Sequence, residues 1–500
     1  MCHPCRSLAA HRDRARSFPL HEQIPERAMA RDMHPSTPRS AQKSLFDTPR
    51  AIRPHARSWL HRIQTLPIPI RLQPPALLEA ALERLDFWFS PKVAPHVHSC
   101  TARYNVSRWQ GSPVMNDDEV PHVLVNSFFE RLPKFTGLQR LYTDRIQWTQ
   151  LGIVNLCALS ALTHLEFSGS QIACGERINP ASLTLRVSTF ITSYDFSMID
   201  IWISLLSRDT LCELTLSHPH ALAKPGVLPF PHVHKLSVNE LPIRTMDTLA
   251  MCAKFPTLRV LVSDYLAVLC NMTPAQTSEI FPVLERYTGS YRNLHIFAQR
   301  TTLTHITLES GFPFCNILME LQGVVSLPNI TSLTARFASA APSAASENSF
   351  GKAEIDVLFT LFPRLTVLKL TLMPDAEEDG AFAPQLTSFL RMLPAHAVLP
   401  NTLQSLSLEW DFPFEYGSTG SAKGNDPAAP DPRDIPHFTA LLPALVARCP
   451  GLTAVYLDGY HFLFVWWEGA WEAEADSYDD AEALRAMRNE FKCGPPVLLS

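Results

Sequence analysis

From about residue 120 to residue 460 the apolar positions fall into one recurring unit. A helical run ends, a turn follows, and a short aliphatic-x-x-aliphatic-x-aliphatic core comes next. The cores read Leu138/Leu141, Leu162/Leu165/Phe167, Leu211/Leu214/Leu216, Val233/Leu236/Val238, Leu258/Leu261, Leu303/Ile306/Leu308, Ile330/Leu333, Leu365/Leu368/Leu370, Leu403/Leu406/Leu408 and Leu452/Val455/Leu457. Within a core the last two apolar positions alternate with polar ones, which is the period of a half-buried strand. The first position anchors the turn into it. Helical spacing marks 76–90, 245–255, 354–362, 385–393 and 438–449. Several helical runs stop at an apolar residue or Cys followed by Pro: Phe230-Pro231, Phe255-Pro256, Leu327-Pro328, Phe362-Pro363, Leu399-Pro400 and Cys449-Pro450. Proline cannot continue a helix and biases the preceding residue towards extended geometry.

A strand and a helix of this size cannot bury their own apolar faces, so ten such units must stack. The pattern predicts an α/β leucine-rich-repeat solenoid of about ten strand–helix repeats. Successive cores start 24 residues apart from Leu138 to Leu162 and 25 apart from Val233 to Leu258. The step then widens to 45 from Leu258 to Leu303 and 49 from Leu403 to Leu452. Polar, small-residue insertions at 338–351 and 416–434 account for part of the excess. Such repeats commonly carry Asn or Cys three residues after the last Leu. Here those places hold Ile146, Ser170, Pro219, Leu241, Leu266, Gly311, Ala338, Met373, Asp411 and Tyr460. The expectation is an irregular horseshoe without that polar ladder. The competing reading is an ordinary strand–helix α/β domain. A doubly wound nucleotide fold would want a Gly-rich turn after its first strand, and none is present.

Composition changes this picture little. Hydrophobic residues make up 46% and charged residues 18%, which excludes a wholly disordered chain. The net charge of −5 points to neither nucleic acid nor a membrane surface as main partner. Eleven cysteines, an odd number, several inside apolar runs, suit a reducing compartment, cytoplasmic or nuclear. No apolar leader and no apolar run of membrane-spanning length stands in the sequence. Residues 1–62 hold 12 Lys/Arg against 5 Asp/Glu and read as a basic, Pro/Arg-rich, disordered head. Residues 63–120 read as a helical cap or linker, 121–460 as the solenoid, and 461–500 as an aromatic end cap with an acidic helix.

Candidate chemistry is sparse. Cys2 and Cys5 form a Cys-x-x-Cys without the second pair that zinc needs. His218, His220, His232 and His234 flank two cores, with no cysteine to complete a site. Gly417 to Lys423 has the wrong spacing for a phosphate loop. The expectation is a non-enzyme with no metal and no cofactor. What remains is the set of polar residues between the ladder positions, which would line a concave sheet face: Arg140, Tyr142, His164, Glu166, Glu213, Thr215, His234, Lys235, Ser237, His305, Thr307, Lys369, Ser407 and Tyr456. Charged, hydroxyl and aromatic side chains together suit recognition of a protein partner.

Four segments carry a family resemblance: FPVLERYTGSYRNLHIFAQRTTLTHITLES (281–310), LFTLFPRLTVLKLTL (358–372), LPNTLQSLSLEWDF (399–412) and LVARCPGLTAVYLDGYHFLFVWW (445–467). They resemble the irregular leucine-rich-repeat proteins of mushroom-forming fungi catalogued as F-box or F-box-like. The resemblance spans roughly residues 120–470. It implies a substrate-recognition subunit of a cullin-type ubiquitin ligase, with a protein substrate on the repeats and a cullin-linked adaptor on the F-box. That helical module is not found here. LFDTPRAIRPHARSWLHRI (45–63) resembles the segment that normally follows it. LQPPALLEAALERL (72–85) has a Pro-then-helix shape but lacks the acidic residue beside Pro. The alternative is a stand-alone repeat scaffold without a ubiquitin link; a metal-dependent or hydrolytic enzyme is the weakest reading.

Overall fold

The computed structural model describes residues 68–71, 78–103, 119–173, 178–193, 199–217, 219–224, 226–238, 245–263, 280–297, 300–312, 314–321, 324–338, 352–373, 399–410, 438–458, 463–468 and 471–475. The chain divides into two units, Met1–Arg62 and Ile63–Ser500; all these residues belong to the second. The basic head, the Cys2/Cys5 pair, His218, the helix expected at 385–393, the loop at 416–434 and the acidic helix expected after 475 lie outside the described residues.

The second unit is built on one long sheet. Its strands are β1 (Ile68–Arg71), β2 (Ser99–Arg103), β3 (Arg140–Asp144), β5 (His164–Ser168), β7 (Thr189–Ser193), β8 (Glu213–Leu216), β9 (Lys235–Val238), β10 (Val260–Ser263), β11 (Arg286–Gly289), β12 (His305–Phe312), β13 (Ser332–Ala338), β14 (Val367–Met373), β15 (Ser405–Trp410), β16 (Ala454–Asp458), β17 (Leu463–Trp467) and β18 (Trp471–Ala475). They hydrogen-bond in that order. Pairing is parallel from β1 through β16. It turns antiparallel at β17 and β18, so residues 463–467 of the aromatic run, where an end cap is expected, form a strand beside β16. Two short strands, β4 (Gln147–Trp148) and β6 (Gln171–Ile172), form a second parallel pair. A doubly wound sheet reverses its strand order at a switch point. This sheet never does: chain order and spatial order coincide, as in a repeat array.

Several connections carry helices: α1 (Leu78–Trp88), α2 (Glu119–Arg131), α3 (Gln150–Cys157), α4 (Ile199–Leu205), α5 (Thr245–Cys252), α6 (Leu294–Phe297), α7 (Phe314–Glu320), α8 (Lys352–Leu361) and α9 (Phe438–Arg448). Thr149 caps α3, its side chain accepting from the Gly152 N–H at 3.3 Å. Gly152 itself is required by packing, since a Cβ there would meet the Phe129 ring at 2.8 Å.

The apolar ladder faces these connections. Leu141, Leu165, Phe190, Leu214, Leu236, Leu261, Tyr287, Ile306, Leu333, Leu368, Leu406 and Val455 stack as one row, each at most 1% exposed. Removing such a side chain from water is worth about 1.5–3 kcal/mol. In the early repeats aromatic rings fill the space behind the row. Phe129 stacks on Trp148 at 4.8 Å, and Trp202 lies 4.5 Å from Phe167 and 5.7 Å from Trp148.

The proline stops act twice. Phe230, Phe255, Leu327, Phe362 and Cys449 are buried at the end of one connection. Each carbonyl then accepts the N–H three residues on, from Val233, Leu258, Ile330, Leu365 and Leu452, at 2.9–3.3 Å. Proline stands second in each of these turns, where its fixed φ is already correct. At Leu399 the spacer is one residue longer, and the bond runs from Leu403 N–H to Pro400 O at 3.0 Å.

Three expectations need correction. The sheet begins before residue 121: β1 and β2 lie in the stretch read as a helical cap or linker. Two repeats went unread inside the array. Val187/Phe190/Thr192 makes β7, and Leu284/Tyr287/Gly289 makes β11. The step of 45 residues therefore divides into 26 and 19, at Leu284. Finally, polar ladders exist. Ser170 is fully buried; its hydroxyl accepts the Ile146 N–H and bonds Thr143 Oγ1, both at 3.1 Å.

A longer ladder runs at the turn into each strand. From His98 through Gln139, Thr163, Ser188, Cys212, His234, Arg259, Glu285, Thr304, Thr331 and Thr366 to Gln404, the carbonyl ahead of one strand accepts two N–H groups of the next repeat, at 2.7–3.3 Å. Hydroxyls reinforce it. Thr163, Ser188, Thr304, Thr331, Thr366 and Thr453 each donate to the carbonyl of the preceding rung at 2.8–3.3 Å. At Cys212, Arg259 and Gln404, which lack a hydroxyl, Thr210, Thr257 and Thr402 two residues earlier donate instead to Val187, Val233 and Leu365.

Candidate functional site

Because strand side chains alternate, burying one row turns the next row outward. On β3, β5, β8, β9, β12 and β14 the outward positions are half-buried or exposed. Arg140 and Tyr142 stand on β3, His164 and Glu166 on β5, Glu213 and Thr215 on β8. Lys235 and Ser237 follow on β9, His305 and Thr307 on β12, Lys369 on β14. Parallel register lines them up in two rows. One runs Arg140, His164, Thr189, Glu213, Lys235, Val260, Arg286, His305, Ser332; the other runs Tyr142, Glu166, Ile191, Thr215, Ser237, Val262, Thr288, Thr307, Thr334, Lys369.

Most charges on this face meet a partner. Lys235 Nζ lies 3.3 Å from Glu213 Oε2 on the neighbouring strand. His164 Nε2 lies 3.8 Å from Glu166 Oε2. Lys369 Nζ lies 2.8 Å from Glu409 Oε1, and Thr371 Oγ1 donates to the same carboxylate at 3.5 Å. The Arg103 guanidinium sits over the Tyr142 ring at 5.5 Å, within cation–π range. Burial first, then Arg286 alongside, pulls the His305 imidazole below its ordinary pKa, while Glu285 opposes them. Its Nδ1 pairs with Thr304 Oγ1 at 2.8 Å.

Three residues expected on the face, Ser407, Tyr456 and His234, are not there. Tyr456 is 2% exposed, and its hydroxyl donates to Asp458 Oδ2 at 2.6 Å. Ser405, Ser407, Ala454 and Val465 are buried around it, so the face that is open on earlier strands is closed from β15 to β17. His234 precedes β9 and is exposed at the turn. Its backbone is a rung, donating to Cys212 O and accepting from Arg259 and Val260. It therefore does not stand beside Lys235 on the strand, because neighbouring strand residues point opposite ways. Missed in turn were Arg286, Thr288, Ser332 and Thr334. Arg286 and Thr288 sit on β11, hidden because Tyr287 and Gly289 occupy ladder places where aliphatic residues were sought.

The remaining chemistry is quiet. Burial pushes the Cys252 thiol up to about 12 and Cys157 to about 11, and pushes Cys100 and Cys449 upward too, so these thiols stay protonated. His232 and His234 flank buried Val233 outside the strand. Among the described residues no three His, Cys, Asp or Glu side chains gather as a metal site requires. Nor, among them, is any helix long and apolar enough to cross a membrane.

No family model matches this sequence, and no curated protein does. Among solved structures the chain is similar to one described as the crystal structure of a TLR13–ssRNA13 complex. The identity is 17% and the TM-score 0.32, over 65% of this chain and 40% of that one. The chain thus spans less than half of that protein's length, and a likeness so distant carries no argument about function.

Proposed function

We propose that this chain is a leucine-rich-repeat protein without catalytic activity, which binds another polypeptide on the outward face of β3–β14. One observation carries the reading. Ten neighbouring parallel strands, β3, β5 and β7–β14, present a continuous open face of charged, hydroxyl and aromatic side chains, and extended repeat surfaces of that kind serve recognition. The pairs Glu213–Lys235 and Lys369–Glu409 favour specificity and orientation more than raw affinity. Within this reading, the fungal F-box resemblance makes the protein the substrate-recognition subunit of a cullin-type ubiquitin ligase, acting in the cytoplasm or nucleus.

Cross-linking mass spectrometry of the full chain from its native cells tests both parts. Partner cross-links should concentrate on Lys235 and Lys369, on the open face, over Lys92, Lys134, Lys224 and Lys254. Partner cross-links confined to the latter set would sink the face assignment. Recovery of the cullin-linked adaptor supports the ligase role; its absence from a complex that still holds a partner on Lys235 leaves the stand-alone scaffold.

A further inference from the structure

Beside the buried row that begins at Leu141, a second buried row runs along the same side of the sheet. From β8 its places hold Leu216, Val238, Ser263, Gly289, Leu308 and Ala335, in register. The aliphatic run breaks at two neighbouring places, Ser263 on β10 and Gly289 on β11. Gly289 leaves its space to a phenol, since a Cβ there would lie 2.8 Å from Tyr287 Oη. Ser263 puts a hydroxyl into the core, 0% exposed. Among the described residues Ser263 Oγ has no hydrogen-bond partner. Neither has Asn293 Oδ1, whose amide nitrogen bonds the same Tyr287 hydroxyl at 3.3 Å. Thr143 and Thr192 also set hydroxyls in this row, but each finds a partner, Ser170 Oγ at 3.1 Å and Thr215 O at 3.5 Å.

Backbone strain gathers at the same junction. Phe281, buried at the turn into β11, has φ +47°, a region that bulky side chains rarely adopt. Pro282 follows it, and the residue before a proline is ordinarily extended. A buried polar group without a partner is relieved when water reaches it, and a strained φ when the chain relaxes. These costs fall on one interface, and in a stacked array each repeat is held by its neighbours alone. Local opening then starts where the interface is weakest. We propose that the sheet is divided between β10 and β11: in the folded protein this strand pair opens ahead of every other from β3 to β16, with a more rigid block on either side.

Hydrogen exchange of the full chain under native conditions, read by mass spectrometry on peptides that cover single strands, tests it. Amides of β10 and β11 should exchange about tenfold faster than those of β8, β9 and β12. Ser263→Ala removes the unpartnered hydroxyl and adds no volume. It should slow exchange at β10 and β11 about fivefold and leave the other strands unchanged. Ser170→Ala, which deletes a partnered hydroxyl, should speed exchange at β3 and β5 and leave β10 and β11 as they were. Fastest exchange at β15 would overturn the proposal: Ser405 and Ser407 Oγ lack partners there among the described residues, but the second row stays aliphatic at Leu370, Leu408 and Leu457. Even exchange from β3 to β16 would overturn it too, as would exchange at β10 and β11 that ignores Ser263→Ala.

Discussion

At the residue scale, Tyr287 and Gly289 show what the ERYTG run does. Tyr287 takes a ladder slot that leucine fills elsewhere, and its hydroxyl donates to Ser290 O at 2.9 Å and accepts from Asn293 Nδ2 at 3.3 Å. Gly289 has φ +156°, and a Cβ there would lie 1.9 Å from Ser263 O. Gly289→Ala should lower the denaturation free energy by about 2 kcal/mol or more, read from the urea midpoint at unchanged slope. Tyr287→Phe leaves Asn293 Nδ2 without its acceptor, while Ser290 O keeps the Asn293 N–H, at a cost of about 1–2 kcal/mol. A wild-type midpoint for either variant would contradict this packing. The sequence marked the run as distinctive and hid the reason, because a buried tyrosine with a partner looks the same in sequence as an exposed one. Thiol chemistry offers a second check. Cys315 is exposed, whereas burial holds Cys100, Cys157, Cys252 and Cys449 protonated. Iodoacetamide at mildly alkaline pH should label Cys315 well before those four, as peptide mapping would show. His305 adds a pH dependence. Its imidazole titrates lower in the fold than in the unfolded chain. As pH falls, the unfolded chain takes up the proton first. Stability is therefore full above the ordinary histidine range and declines as pH drops through it. His305→Gln should flatten that decline between pH values of about 7.5 and 5.5, measured by denaturation midpoint.

At the scale of the element, the legible part was the strand. Leu-x-x-Leu-x-Leu states both the turn anchor and the alternating face, so β3, β5, β8, β9, β10 and β12–β16 could be placed by pattern. Repeats whose anchors are Val187/Phe190 or Val97/Cys100 obey the same geometry with other apolar residues, and a leucine-centred search passes over them. The hydroxyl rungs were less visible still. Thr163, Thr304, Thr331 and Thr366 read as β-propensity residues until the carbonyl of the preceding repeat is seen beside each hydroxyl. Thr331→Val keeps the shape and deletes one donor to Thr304 O. It should cost about 1 kcal/mol, and the triple change at Thr304, Thr331 and Thr366 less than three times that if the rungs share strain. Thermal unfolding of the set would show full additivity if the rungs were independent.

Across the whole molecule, the Glu213–Lys235 pair separates fold from recognition. Glu213→Lys alone sets two cations side by side and should cost about 0.2–1 kcal/mol, given how exposed the pair is. The exchange Glu213→Lys with Lys235→Glu restores the pair in reverse. Stability should return to the wild-type value, while a partner that reads the charge order should bind more weakly. Unchanged binding would remove these two residues from the recognition surface. The layout of the face followed from sequence on most strands that the pattern places, but not for His234 at the start of β9 or for Ser332 and Thr334 on β13. Its closed end did not, since the burial of Ser405, Ser407 and Tyr456 depends on what lies over the strands and leaves no mark in their own alternation.

The doubled backbone rungs have a further consequence. Steps of 19 residues between Leu284 and Leu303 and of 49 between Leu403 and Leu452 meet the sheet through the same pair of N–H groups on one carbonyl. The advance per repeat is therefore fixed by hydrogen-bond spacing, about 4.8 Å, whatever the length of chain that loops behind. The front of the molecule is a ruler whose graduations ignore the back. Lineages can lengthen or trim a connection without shifting a single recognition residue, and an engineer can splice cargo there without recalibrating what the front reads.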